Sequence, residues 1–190
     1  MTIHIALLRG INVGGNNKIK MADLREALNR IGLARVQTYI QSGNILFESD
    51  EDEADLRQRI EQVITDEFGL SIRTILRTAE EMNAIASSCP FTEEQIAKAG
   101  KDSVGEVLYV SMLLEEPPAD RVERLKAFET DGEMFHLIGN NMYLLFNPSI
   151  RNSKLAIQAD KLGVPTTVRN WKTINKLAAL SNEMAEDKKA

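Results

Sequence analysis

Cysteine and histidine are nearly absent: the 190 residues include one cysteine, Cys89, and two histidines, His4 and His136. A lone thiol has no intrachain partner, which removes a disulfide framework and fits a reducing compartment. The same scarcity leaves too few soft ligands for a Cys/His zinc site. No carboxylate spacing marks a magnesium site, so no metal site is expected, and no motif specifies a cofactor. Aromatic residues make up only 5% of the chain, too few for extended base-stacking surfaces. Long apolar runs are missing as well: residues 5–8 and 142–146 fall far short of the roughly 20 a membrane helix needs. Met1-Thr2-Ile3-His4 brings no basic region ahead of a cleavable apolar stretch. The expectation is a cytoplasmic protein with no membrane partner.

Charge is plentiful but unevenly placed. Residues 1–48 hold six Lys/Arg against three Asp/Glu, and residues 148–190 hold eight against four. Residues 49–103 hold six against thirteen, and residues 104–147 three against eight. The ends are therefore basic and the middle acidic, within a net charge of −5. An acidic total argues against general nucleic-acid affinity, whereas a local positive surface suits an anionic ligand.

Hydrophobic periodicity places the elements. Residues 3–8 read as a buried strand, and Met21, Leu24, Leu28 and Ile31 recur at helical spacing before Gly32. Residues 35–41 and 45–47 read as strands around a two-residue turn at Ser42-Gly43. Leu56, Ile60, Val63, Ile64 and Phe68 mark an amphipathic helix, and residues 72–76 a closing strand. Capping-box patterns at Thr78/Glu81 and Thr92/Gln95 start two connector helices. A second series follows: strand 106–113, helix 120–128, a hairpin of 134–138 and 142–146 around Gly139-Asn140, a helix through Leu155, Ala159 and Leu162, a strand at 166–169, and a helix from Trp171. The prediction is an α+β fold of two ferredoxin-like βαββαβ subdomains in tandem, with a helical connector and a C-terminal helix. Its parts are residues 1–77, the connector 78–103, residues 104–184, and a frayed tail at 185–190.

Two polar blocks stand out. R-G-I-N-V-G-G-N-N-K-I-K, residues 9–20, is longer than the usual strand-to-helix link. Gly10, Gly14 and Gly15 let the backbone turn its N–H groups toward an anion, and Arg9, Lys18 and Lys20 supply charge. The spacing matches neither the dinucleotide fingerprint nor the Walker loop. Equally, the glycines could form tight turns while Asn12, Asn16 and Asn17 satisfy the loop's own backbone. T-V-R-N-W-K-T, residues 167–173, places Arg169 and Lys172 at the start of the last helix, where free N–H groups favour an anion. There Asn170 reads as a helix cap and Trp171 as a core anchor. Arg151 and Lys154 add charge nearby. No Ser-His-Asp or Cys-His grouping is visible, and His4 and His136 fall inside strands, as structural histidines with satisfied hydrogen bonds. Cys89 beside Pro90 reads as a small buried residue.

R-G-I-N-V-G-G, K-x-K-M-x-x-L, T-Y-I-Q-S-G-N and T-V-R-N-W-x-T-x-x-K-L, taken together and in this order, resemble the bacterial family called domain of unknown function 1697. The resemblance spans nearly the whole chain. It implies an α+β protein with two ferredoxin-like subdomains and implies no activity, so whether the chain is an enzyme stays open. The family's blocks fall on Arg9, Asn12, Gly14, Gly15, Lys18, Lys20, Met21, Ser42, Gly43, Asn44, Thr167, Arg169, Asn170 and Thr173. In ferredoxin-like wiring, Ser42, Gly43 and Asn44 are expected at the opposite end of the sheet from the glycine loop, as turn formers only. The candidate ligand-binding set is therefore Arg9, Asn12, Gly14, Gly15, Lys18, Lys20, Thr167, Arg169, Asn170, Lys172 and Thr173. It points to a phosphorylated or otherwise anionic small molecule. RNA or single-stranded DNA binding by tandem RRM-like subdomains is the first alternative, and a protein interaction module the second.

Overall fold

The computed structural model describes residues 1–103 and 105–187. Val104 of the expected second subdomain and residues 188–190 of the expected frayed tail lie outside them. Among the described residues the chain is α+β, with two four-stranded antiparallel sheets and seven α-helices. It divides into two compact units: residues 1–84 together with the stretch from Lys176 onward, and residues 85–175.

In the first unit, β1 (Thr2–Leu8), α1 (Met21–Arg30), β2 (Ala34–Tyr39), β3 (Asn44–Ser49), α2 (Glu53–Phe68) and β4 (Thr74–Thr78) follow in order, and the sheet runs β2-β3-β1-β4. β1 lies inside that sheet and carries six consecutive buried residues, as expected of a strand covered on both faces. Ala6, Leu8, Ile45, Phe47 and Leu76 form one face and pack with Leu24 and Leu28 of α1 and Leu56, Ile60 and Ile64 of α2. Burying each large apolar side chain contributes about 1.5–3 kcal/mol, and truncating Phe47 to Ala would cost roughly 3–5 kcal/mol. Asp52 caps α2 by accepting from the Ala54 N–H, and left-handed Gly69 ends it. The connection from β2 to β3 differs from the expected two-residue turn. Tyr39 pairs with Asn44, leaving a four-residue loop at 40–43 in which Ile40 takes φ 51.

A bulge in β2 has a long reach. The β2–β3 register shifts between Ala34 and Gln37, and Arg35 sits there with φ 51. Its Nη1 donates to Glu48 Oε1 and to the Met184 carbonyl, each at 2.9 Å, and its Nη2 reaches Asp187 Oδ2 at 3.2 Å. Met184 belongs to α7 (Trp171–Glu186), so a cation meets the last turn of that helix, where orphan carbonyls need donors. Helical order thus extends into the stretch expected to fray from residue 185.

The chain between the sheets forms α3 (Ala79–Ser87) and α4 (Glu93–Gly100). Both start on the expected capping boxes: Thr78 and Glu81 exchange bonds of 2.7 and 3.2 Å, and Thr92 and Gln95 bonds of 2.9 and 3.2 Å. In the second unit, β5 (Leu108–Leu113), α5 (Ala119–Leu125), β6 (Met134–Ile138), β7 (Asn141–Leu145), α6 (Lys154–Ala159) and β8 (Thr166–Asn170) follow, and the sheet runs β6-β7-β5-β8. A 3-10 turn, Lys126–Phe128, extends α5. Gly139 and Asn140 form the two-residue turn of the β6–β7 hairpin, since Ile138 pairs with Asn141. Leu113, Leu125, Phe135, Met142, Leu144, Phe146, Leu155 and Leu162 make the second core. In both sheets the other face is buried too, as Ile5, Leu7 and Leu46 show in the first and Val110, Met112 and Tyr143 in the second. No helix among the described residues is long and apolar enough to cross a membrane.

Candidate functional site

The loop at residues 9–20 is built from its ends inward. Ile11 and Ile19 are buried in the first core and pin both shoulders. Between them the chain forms a miniature hairpin: the Asn12 N–H donates to the Asn17 carbonyl at 3.1 Å, and the Asn16 N–H to the Val13 carbonyl at 3.0 Å. Gly14 and Gly15, with φ 57 and 81, occupy its two-residue tip, where a type I′ turn needs two positive φ angles. Their backbone freedom is therefore spent on the turn. Asn12 and Asn17, with φ 54 and 46, also take the left-handed conformation that asparagine tolerates best after glycine. Asn12 locks the loop, because its Nδ2 donates to the carbonyls of Ile19 (3.0 Å) and Gln41 (2.8 Å) while its Oδ1 accepts from the Ile19 N–H (2.9 Å). Asn17 Nδ2 donates to the Gly10 carbonyl at 3.0 Å.

The bond to Gln41 overturns one expectation from the sequence. The 40–43 turn lies beside the glycine loop, at the same end of the sheet. β3 runs antiparallel to β1, so its first residue, Asn44, pairs with Leu7 near the end of β1. The Leu8 N–H donates to the Gly43 carbonyl at 2.8 Å, and a Cβ on Gly43 would lie 2.7 Å from Leu8 Cβ and 2.8 Å from Ile11 Cδ1. Gly43 is thus where backbone and loop core meet too closely for a side chain. Asn44 keeps its role in forming the turn, donating to the Tyr39 carbonyl and to Ser42 Oγ.

Loop and turn border an open groove of about 620 Å³ lined by Asn12, Gly15, Lys18, Lys20, Gln41 and Phe68, with Asp23 as its one acidic residue. Lys18 and Lys20 are exposed. Lys20 is also the N-cap of α1 and provides no side-chain cap, so the first turn of that helix keeps its orphan N–H groups. Arg9 is half-buried with its N–H bonded to the Arg73 carbonyl, and like Gly14 it is not among the lining residues.

The second block lies in the second unit. Arg169 on β8 is only 8% exposed, and its Nη1 donates to Thr167 Oγ1 (2.8 Å) and to the carbonyl of its own neighbour Val168 (2.9 Å). Burial pulls its pKa down to about 10. It still carries its charge at neutral pH. Thr167 and Thr173 are buried, and Asn170 Oδ1 accepts from the Thr173 N–H at 2.8 Å as the cap of α7. Lys172 alone of the five projects as an exposed cation.

A partner to Arg169 escaped the sequence reading. Arg77 occupies the matching place on β4: it is buried, its Nη1 donates to the carbonyl of Leu76 at 2.7 Å, and its strand runs directly into a helix. Its pKa is lowered by burial, with Glu81 and Glu53 pulling the other way. T-I-L-R-T in β4 and T-T-V-R-N in β8 are the signal that could have found it. Arg77 faces Ile5 across β1 as Arg169 faces Val110 across β5.

The histidines differ from expectation. His4 is buried and stacks on Phe47 with ring centroids 5.6 Å apart, yet neither ring nitrogen has a hydrogen-bond partner among the described residues. Burial lowers its pKa, opposed by the Ser49 backbone, Glu81 and Asp50. His136 is exposed on the edge strand β6, its ring edge-on to Phe91 at 5.1 Å.

No curated protein matches the chain. A solved structure of a conserved bacterial protein from Streptococcus pneumoniae is similar to it, with a TM-score of 0.71 and 29% identity over 95% of this chain and 98% of that one. The family model described as "Protein of unknown function (DUF1697)" matches residues 1–143, a span that takes in the glycine hairpin, the 40–43 turn and the groove they border, and the chain belongs to that family.

Proposed function

We propose that the chain binds a phosphorylated or otherwise anionic small molecule in the groove beside the glycine hairpin of the first unit. The observation that carries this reading is the meeting of two exposed lysines, Lys18 and Lys20, with the uncapped start of α1 on one groove. A helix start with orphan N–H groups favours an anion, and a nearby ammonium adds a charge-assisted bond. Asn12 holds the loop in place before any ligand arrives, which reduces the ordering cost of binding. Phe68 gives the groove an apolar wall, so the ligand pairs its anionic group with a less polar body. Arg169, Asn170, Thr167 and Thr173 serve strand and cap in this reading, and Arg9 supports the loop from outside the groove.

Two further readings belong with this one. The repeated element order, the repeated sheet order and the recurrent arginine support ferredoxin-like duplication, and the single unpaired thiol fits a cytoplasmic setting. Against RNA-recognition chemistry stands the burial of Ile5, Leu7 and Leu46 on the sheet face turned away from α1 and α2, the face on which such a module would stack bases.

Thermal denaturation of the full chain with inorganic phosphate, sugar phosphates and nucleotides is the test. A ligand at a hundred times its Kd raises stability by about 2.7 kcal/mol, which a melting curve resolves. The shift should shrink in Lys18→Ala and Lys20→Ala. No shift with any of these compounds at tens of millimolar would refute the proposal.

A further inference from the structure

A second concave site lies wholly within the other unit. α5 and its 3-10 extension present Arg121, Arg124, Leu125 and Phe128, which share one helical face by their spacing of three, four and seven. α6 and the turn after it answer with Gln158, Lys161 and Leu162. Together these residues line a cleft of about 270 Å³, open to solvent. Leu125 and Leu162 are buried at its floor, Phe128 is half-buried beside them, and the charged groups stand at the rim. No acidic residue lines it.

That rim is unusual in a chain of net charge −5. Cations three residues apart on one helix repel each other, at a cost of a few tenths of a kcal/mol per pair. Among the described residues, Arg121 and Lys161 have no ion-pair partner, and their charged groups make no hydrogen bond. Arg124 pairs with Asp120 at 3.2 Å, but both groups are largely exposed, so that bond is weak and exchangeable. The Arg121 guanidinium lies over residue 163, where a Cβ would fall 1.8 Å from its Nη1. Gly163, with φ 86, ends the α6 turn and leaves that space open.

From this geometry we infer a binding site for a small phosphomonoester with an aromatic or short alkyl group, its dianion held by Arg121 and Lys161 and its apolar part set on Leu125, Phe128 and Leu162. A planar guanidinium grips two phosphate oxygens at once, and an ammonium adds a point charge. The volume suits a phosphate with one small ring. This site is independent of the groove at Lys18 and Lys20.

Phenyl phosphate, inorganic phosphate and benzyl alcohol serve as probes, titrated into the isotope-labelled full chain while backbone NMR shifts are followed at residues 119–128 and 158–163. Phenyl phosphate should move these signals and bind on the order of tenfold more tightly than inorganic phosphate, because only it covers the floor. Benzyl alcohol, lacking the charge, should leave them in place. Arg121→Ala and Lys161→Ala, both exposed positions, should each weaken phenyl phosphate about tenfold or more, Arg121→Lys should restore only part of the loss, and Lys18→Ala should have no effect here. The inference is overturned if phenyl phosphate leaves these signals still at tens of millimolar, if inorganic phosphate binds as well as phenyl phosphate, or if binding survives both alanine variants.

Discussion

The two units repeat one order of elements and diverge at one connection. From β1 to α1 the chain takes twelve residues, 9–20, and folds them into a hairpin bearing Arg9, Lys18 and Lys20 with no acid. From β5 to α5 it takes five, 114–118, Leu-Glu-Glu-Pro-Pro. The shorter link is ordinary for a compact domain, and the longer one is not. What both units share, the buried arginine at the end of the last strand and the helix that follows it, belongs to the scaffold. What only the first has, a rigid basic finger wedged against the neighbouring turn, is where chemistry specific to this protein should be sought. Extra chain kept in a single rigid conformation costs conformational entropy, which Asn12 and the two buried isoleucines offset.

The two hairpin turns set the units apart most strongly. Gly43 has a positive φ of 81 and no room for a Cβ, whereas Gly139 has a φ of 59 and open space around it. Gly43→Ala combines backbone strain with overlap in a packed core and should cost about 3 kcal/mol. Gly139→Ala meets strain alone and should cost about 1 kcal/mol. Urea midpoints measure both. Equal losses would mean that the close approach of turn and loop is not a constraint.

Next in size is the lock on the finger. Asn12→Gly keeps the left-handed backbone accessible but deletes three hydrogen bonds, for an expected loss of about 2 kcal/mol. The Ile19 amide, whose proton goes to Asn12 Oδ1, should then exchange faster with solvent. If its protection is unchanged, the finger is held by something other than Asn12.

Much of this contrast could be read in the chain itself. Branched apolar runs gave the central strands, heptad-like spacing gave α1 and α2, and Thr78/Glu81 and Thr92/Gln95 announced helix starts because reciprocal capping needs those residue types three apart. The length and charge of residues 9–20 also marked the candidate site. Other features left no local signal. The 40–43 loop depends on a left-handed Ile40, a conformation a branched residue seldom takes, so Ser42-Gly43 looked like the whole turn. Arg77 is one charge in an apolar strand and stands out only once β8 is laid beside β4. The neighbouring position of Gly43 follows from wiring alone, since antiparallel pairing brings the start of β3 to the end of β1.

If the strand-to-helix junctions are equivalent parts of a repeated scaffold, removing their caps should have similar effects. Thr78→Ala breaks the capping box of α3, and Asn170→Ala removes the acceptor for the Thr173 N–H at the start of α7. Each should lose about 1 kcal/mol. A loss confined to one junction would show that the other helix start is held by its packing instead.

The smallest effect at neutral pH, and the one most specific to the first unit, belongs to His4. Burial favours its neutral form, so the folded chain takes up a proton at lower pH than the unfolded chain, whose imidazole titrates near 6.5. Above that pH both states hold a neutral ring and the residue contributes no pH dependence. As the pH falls below about 6.5 the unfolded state binds the proton first, and stability declines with a slope of at most about 1.4 kcal/mol per pH unit until folded His4 is itself protonated. His4→Phe keeps a ring against Phe47 and removes the titration. The stability difference between wild type and His4→Phe, measured from pH 7.5 down to 5.5, should therefore be flat at first and then move in favour of the variant. A difference that stays constant across this range would mean that the buried imidazole is protonated as readily in the folded chain as in the unfolded one, and that its missing partners are supplied by water.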